Sequence, residues 1–219
     1  MKTYFLLSFL IVFFISSLSN AQVFKGVSLF MNAGFGVSGW NYNDDYISKM
    51  YTGKPSRENL IFGIDLEVFA SKYNSTIIET GYRYQNIKFK YNQLNEYGNV
   101  TAEQTIYNNL NIFHTAVLEK LKYDLGSWSF YTFGGISLDF KFSETIDMDF
   151  KPVLGNSKTP VTGITLGAGT AKAIGRYRIF LDFYSGSDIT KTFDLPSGYF
   201  RNTELGFRFG FGYYVPNKK

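Results

Sequence analysis

The chain has one histidine, His114, and no cysteine, which bounds its chemistry at once. A multi-histidine metal site and a thiolate site are both excluded. A lone imidazole can still activate a hydroxyl, as in outer-membrane lipid hydrolases that pair histidine with serine. His114 is followed by Thr115 and Ala116, so such a serine would have to approach from a neighbouring element. A structural polar role asks for less. Asp65 with Glu67, and Glu79 with Arg83, have the residue types of acid–base pairs, but ion pairing in an interior explains them without a reaction. Asp44, Asp45, Asp147 and Asp149 could offer oxygens to a divalent cation; EF-hand spacing is missing, and solvated charge accounts for them. The glycine-rich run 163–171 lacks the lysine of a phosphate loop and alternates as a strand does. The expectation is a protein with no catalytic, cofactor-binding or metal residues.

The elements that must hold these residues show themselves by alternation. The first residues are set aside: Lys2, an apolar run from Tyr4 to Leu18, then Ser19-Asn20-Ala21 make the pattern of an export signal. The run is shorter than the ~20 apolar residues that span a bilayer. Cleavage is expected between Ala21 and Gln22, leaving residues 22–219 as a single domain. The full chain has 22 basic and 18 acidic residues, scattered along it. A nucleic-acid surface would need them clustered, so no nucleic-acid partner is expected.

The compositional excess is aromatic, with 23 Phe, 17 Tyr and 2 Trp beside 21 Gly and only 5 Pro. The last segment, Thr203 to Val215, shows how these are used. Leu205, Phe207, Phe209, Phe211 and Tyr213 share one face; Glu204, Gly206, Arg208, Gly210 and Gly212 share the other. Period two over this length predicts a β-strand. The contrast recurs in residues 26–40, 59–71, 76–91, 127–142, 161–173 and 177–184. In 76–91 the frame slips near Ile87, as a bulge or a rise above a membrane would produce. Residues 105–123 make a further strand whose faces the sequence leaves open. Tight links at 72–75, 124–126 and 174–176 alternate with long polar stretches at 41–58, 92–104, 143–160 and 185–198. Short turns on one side and long loops on the other mark outer-membrane barrels. The fold class expected is therefore all-β, an eight-stranded antiparallel transmembrane barrel.

A soluble lipocalin-like barrel also has eight strands, but it fills its interior with apolar side chains. Here the bulk and the aromatics lie together, opposite Gly, Ser, Asn and ionised groups, so the apolar face is expected to meet lipid. The interior of such a barrel is just wide enough for side chains to fill it. Asp65, Glu67, Glu79, Asp139, Asp182 and Glu204 are expected to pair there with Arg83, Lys141, Arg178 and Arg208. Trp40, Tyr82, Tyr84, Trp128, Tyr177, Tyr213 and Tyr214 fit aromatic girdles at headgroup depth.

Asn109 to Tyr123, Phe130 to Leu138, Gly163 to Thr170 and Asn202 to Val215 together resemble the PorT-like outer-membrane β-barrel proteins of Bacteroidetes. The likeness covers nearly all of residues 22–219 and rests on pattern. One departure is that Phe113 and His114 follow Leu110-Asn111-Ile112 where the family often carries a proline. The resemblance implies a non-enzymatic barrel with an accessory role in protein secretion or surface assembly. Its partners would be outer-membrane lipids and other envelope or secretion proteins. Arg208, Gly210, Tyr213 and Val215 also resemble a C-terminal insertion signal, which implies contact with the barrel-assembly machinery.

Overall fold

The computed structural model describes residues 26–42, 56–68, 72–94, 100–146, 159–195 and 198–216. The export signal, the Ala21/Gln22 cleavage point and Asp44, Asp45, Asp147 and Asp149 lie outside them. The described residues form β1 Gly26–Tyr42, β2 Ser56–Val68, β3 Asn74–Leu94, β4 Val100–Leu125, β5 Trp128–Ile146, β6 Val161–Ile174, β7 Tyr177–Asp188, β8 Phe193–Leu195 and β9 Gly198–Pro216. From β1 to β7 each strand pairs antiparallel with the next, β7 and β8 both pair with β9, and β9 closes on β1 from Gly26↔Pro216 to Tyr42↔Phe200. The wall has eight places, because β7 and β8 share one. β7 pairs with β9 from Tyr177↔Tyr213 to Ser187↔Thr203, and β8 resumes at Phe193↔Phe200. Closure leaves no strand edge, which is how a sheet satisfies its backbone in hydrocarbon.

Two of the tight links are two-residue hairpins, Gly126-Ser127 and Gly175-Arg176, closed by the pairs Leu125↔Trp128 and Ile174↔Tyr177. The glycine of each has φ 62°, a left-handed conformation that other residues adopt at a cost.

Alternation sorts the side chains as the sequence suggested. Leu29, Met31, Leu60, Phe62, Ile64, Ile179, Leu181, Phe183, Leu205, Phe207, Phe209 and Phe211 all face outward and exposed. Met31 is 70% and Phe209 60% exposed, whereas Arg208, next to Phe209 on the same strand, is 3% exposed. An apolar surface of this extent is far beyond what a soluble monomer shows.

Three expectations need correction. No bulge sits at Ile87: the β2–β3 and β3–β4 ladders run unbroken through it, with a register shift only at Gln93/Leu94. Ile87 keeps its inward place and is wholly buried; the interior, not the frame, changes character there. The stretch 92–104 is mostly strand, since β3 and β4 stay paired through Asn92↔Glu103. At 21 and 26 residues these strands far exceed the roughly 9–11 that cross a bilayer. Tyr214 does not join an outer girdle. It shares the inward row with Gly212, and the Arg178 guanidinium lies 5.0 Å from its ring centroid.

The remaining girdle residues divide between the two ends. Trp128, Tyr177 and Tyr213 stand at the tight-turn end, with Tyr177 stacked on Phe211 at 5.3 Å. Tyr82 donates to Asn111 Oδ1 at 2.5 Å and Tyr84 to Asn109 Oδ1 at 2.9 Å, so the outer face turns polar at that height. The side chain of Trp40 lies outside the described residues.

Candidate functional site: a filled lumen and its charge network

Inward positions must fill a narrow cylinder, and they do so by matching size across strand pairs. Phe30 lies against Gly212, Phe180 against Gly210, Tyr131 against Gly169, Phe133 against Gly167 and Tyr184 against Gly206. A Cβ on Gly212 would come within 2.1 Å of Phe30 Cδ1, and one on Gly210 within 2.4 Å of Phe180 Cε1. The glycines therefore serve as slots for aromatic rings. Phe30 and Phe180 meet edge to face at 5.5 Å, and the buried apolar set also holds Ile61, Ile77, Ala116 and Leu118.

Between these rings run two linked groups of charges. In the first, Arg208 on β9 bonds Asp182 on β7 at 3.0 Å through Nε, and Glu79 on β3 through its NH1 nitrogen. Arg83 on β3 reaches back across the lumen to Glu204 on β9 at 3.0 Å and to Asp139 on β5 at 3.3 Å. Phenols supply further donors: Tyr131 to Asp182 at 2.5 Å and Tyr184 to Glu204 at 2.6 Å. Asp65 accepts from Asn32 Nδ2 at 2.8 Å. The second group sits toward the tight turns. There Glu67 is surrounded by Lys120 at 3.3 Å, Lys122 at 3.8 Å and Arg178 at 3.8 Å, and accepts from Ser75 at 2.6 Å. Nine of the ten charges expected in the interior thus meet there. Lys141 pairs with Glu144 on its own strand at 2.6 Å, near the opposite rim.

His114 belongs to the first group. Its Nδ1 lies 2.5 Å from Asp139 Oδ1 and its Nε2 3.6 Å from Glu79 Oε1. Both ring nitrogens face carboxylates, which holds the imidazole between β3 and β5. Arg83, Lys120, Lys122, Arg178 and Arg208 lie among the carboxylates Glu67, Glu79, Asp139, Asp182 and Glu204, and this pairing matters because an unpaired buried charge costs several kcal/mol.

Sequence reasoning missed Lys120, Lys122, Tyr131 and Tyr184, and left His114 without a place. β4 hides its inward set because both faces carry apolar residues: Leu110, Ile112 and Leu118 point in, while Phe113, Val117 and Leu121 point out. The interior phenols could have been found by their register against glycines, but only after the strands were paired.

The filled lumen leaves little room. A cavity between Glu67, Lys120, Tyr131 and Asp182 measures about 20 Å³, the space of a single water. Another, beside Arg83, Asp139 and Glu204, measures about 10 Å³. Neither is a channel. Among the described residues no three His, Asp or Glu side chains are grouped to hold a metal ion.

No protein-family model matches the chain, and no curated protein does. The likeness is to solved structures. The outer membrane protein OprG from Pseudomonas aeruginosa superposes with a TM-score of 0.53 at 10% identity, covering 87% of this chain and 97% of that one. Outer membrane protein AlkL, solved by solid-state NMR in DMPC bilayers, does so with a TM-score of 0.50 at 12% identity, covering 89% and 92%. At such identities the likeness speaks of architecture alone: the chain has the fold of the small eight-stranded outer-membrane β-barrels.

Proposed function

We propose that the chain is an integral protein of the outer membrane, exported by its leader, and that it works as a non-enzymatic scaffold. The observation that carries this reading is the pairing of an apolar, exposed outer face with a lumen filled by ion pairs. Such a molecule is anchored in lipid, passes nothing of size through its centre, and keeps its one histidine between two carboxylates. What it can offer are the surfaces of its long connections and of the tall β3–β4 wall. These would contact other envelope or secretion proteins, in the accessory role that the PorT-like resemblance implies. Arg208, Gly210, Tyr213 and Val215 on the closing strand would serve the barrel-assembly machinery during insertion.

Affinity capture from mild detergent tests this. A specific envelope protein should co-purify with the full chain, and should be lost when residues 147–158 or 43–55 are replaced by a short linker in a chain that still folds. Recovery of the barrel alone under all conditions would contradict the scaffold role. The His114–Asp139 contact supplies the one argument for a lipid-modifying enzyme, and it is separately testable. His114→Ala should leave lipid A and phospholipid profiles unchanged; an altered acylation pattern from a folded variant would favour catalysis.

A further inference from the structure

The outer face is bulky almost everywhere, but not between β4, β5 and β6. There a groove of about 520 Å³ is floored by Thr132 and Ala168 and walled by Leu121, Tyr123 and Phe130. It exists because small residues oppose each other, Thr132↔Ala168 in the β5–β6 ladder, while large ones flank them. Below it, at the tight-turn rim, Lys172 stands opposite Trp128 with its ammonium 5.3 Å from the indole centroid. Above the groove Leu166 leans over Gly134: a Cβ there would lie 2.6 Å from Leu166 Cδ2. At the same level Glu119 accepts from Thr76 Oγ1 at 2.6 Å on the outer face, so the apolar path ends there.

We infer that this groove binds one phospholipid of the inner leaflet, an acyl chain lying between the walls and an anionic headgroup on Lys172. The dimensions agree. From Ala168 on the groove floor to Lys172 at the rim the strand advances about 13 Å, which at a tilt of about 45° is about 9 Å of depth, so an acyl chain whose headgroup meets Lys172 passes over the groove. The charge agrees as well: Lys172 is joined at this rim by Lys72, over the Tyr73 ring at 5.0 Å, and by Arg176, bonded to the Tyr213 phenol at 3.1 Å. A second copy of the chain fits less well, because a two-fold contact through the groove would set Lys172 against Lys172. The site rests on the outer-membrane reading above, with the tight turns on the periplasmic side.

The test uses the full chain in nanodiscs of equal parts phosphatidylethanolamine and phosphatidylglycerol, released for native mass spectrometry. The unaltered protein should carry one retained phospholipid, enriched several-fold in phosphatidylglycerol over the bilayer. Ala168→Phe, which fills the groove, should lower retention several-fold. Lys172→Glu should keep a bound lipid and lose the preference for phosphatidylglycerol. Ala168→Leu stands in if the larger replacement fails to fold. Retention that Ala168 variants do not change, or a lipid ratio equal to that of the bilayer, would overturn the site. Heat-modifiable migration of the same samples separates the two claims: its absence in the unaltered chain overturns the membrane barrel, its presence with unselective lipid overturns only the groove.

Discussion

Arg208 and Arg83 tie opposite walls of the barrel together, since each joins β3 to β9 across the lumen through Glu79 or Glu204. Their value lies less in attraction than in what their removal would leave. Arg208→Ala strands Glu79 and Asp182 in a filled interior, and is expected to destabilise the barrel by about 3–5 kcal/mol, measured by urea unfolding in lipid vesicles. Arg208→Met combined with Glu79→Gln and Asp182→Asn should recover most of that loss, because neither carboxylate that Arg208 paired is then left charged. A full loss in the triple variant would mean that Arg208 acts through packing against Phe133, whose ring centroid lies 5.2 Å from its guanidinium. Most interior charges were legible in the sequence because they alternate with bulky residues. Those on β4 were not, since a strand apolar on both faces gives no phase to read.

At the scale of elements, the pairing of strands is encoded in size as much as in polarity. Every interior ring of Phe30, Tyr131, Phe133, Phe180 and Tyr184 has a glycine across the ladder, and a shift of register by one residue would set ring against lipid and glycine against nothing. Gly212→Ala, which meets both the Phe30 ring and the Leu29 carbonyl, should cost about 1–3 kcal/mol as overpacking does. Phe30→Ala in the same chain should return part of it, the carbonyl contact remaining; a strictly additive pair would show that the slot is not what limits the site. The sequence revealed the period of these strands and the turn ends with their glycines. It left a bulge and a rise above the membrane as alternatives near Ile87, where β3 and β4 stand tall above the apolar belt: there the outer face becomes polar through Asn109, Asn111 and Lys88 while Ile87 and Leu110 lie inside. Read alone, that inversion looks like a slip of frame. Two-residue hairpins should be sensitive in their own way: Gly126→Val forces a branched side chain into a left-handed φ of 62°, and slower recovery of the folded form by gel shift is expected.

For the whole molecule, the deciding property is which way the sheet faces. A closed barrel with paired walls should resist detergent at room temperature and run compactly on a gel until heated, and loss of that shift in Arg208→Ala but not in Lys172→Glu would follow from their different places. The most direct measurement exploits the absence of cysteine from the chain. Single cysteines placed at Leu205, Phe207, Phe209 and Phe211 in otherwise unaltered protein, spin-labelled and reconstituted in lipid vesicles, report contact with oxygen dissolved in the bilayer. The predicted result is that all four labels are open to oxygen and shielded from a water-soluble relaxant. Labels shielded from oxygen, or water-soluble relaxant reaching the Phe207 and Phe209 labels, would contradict the barrel described here.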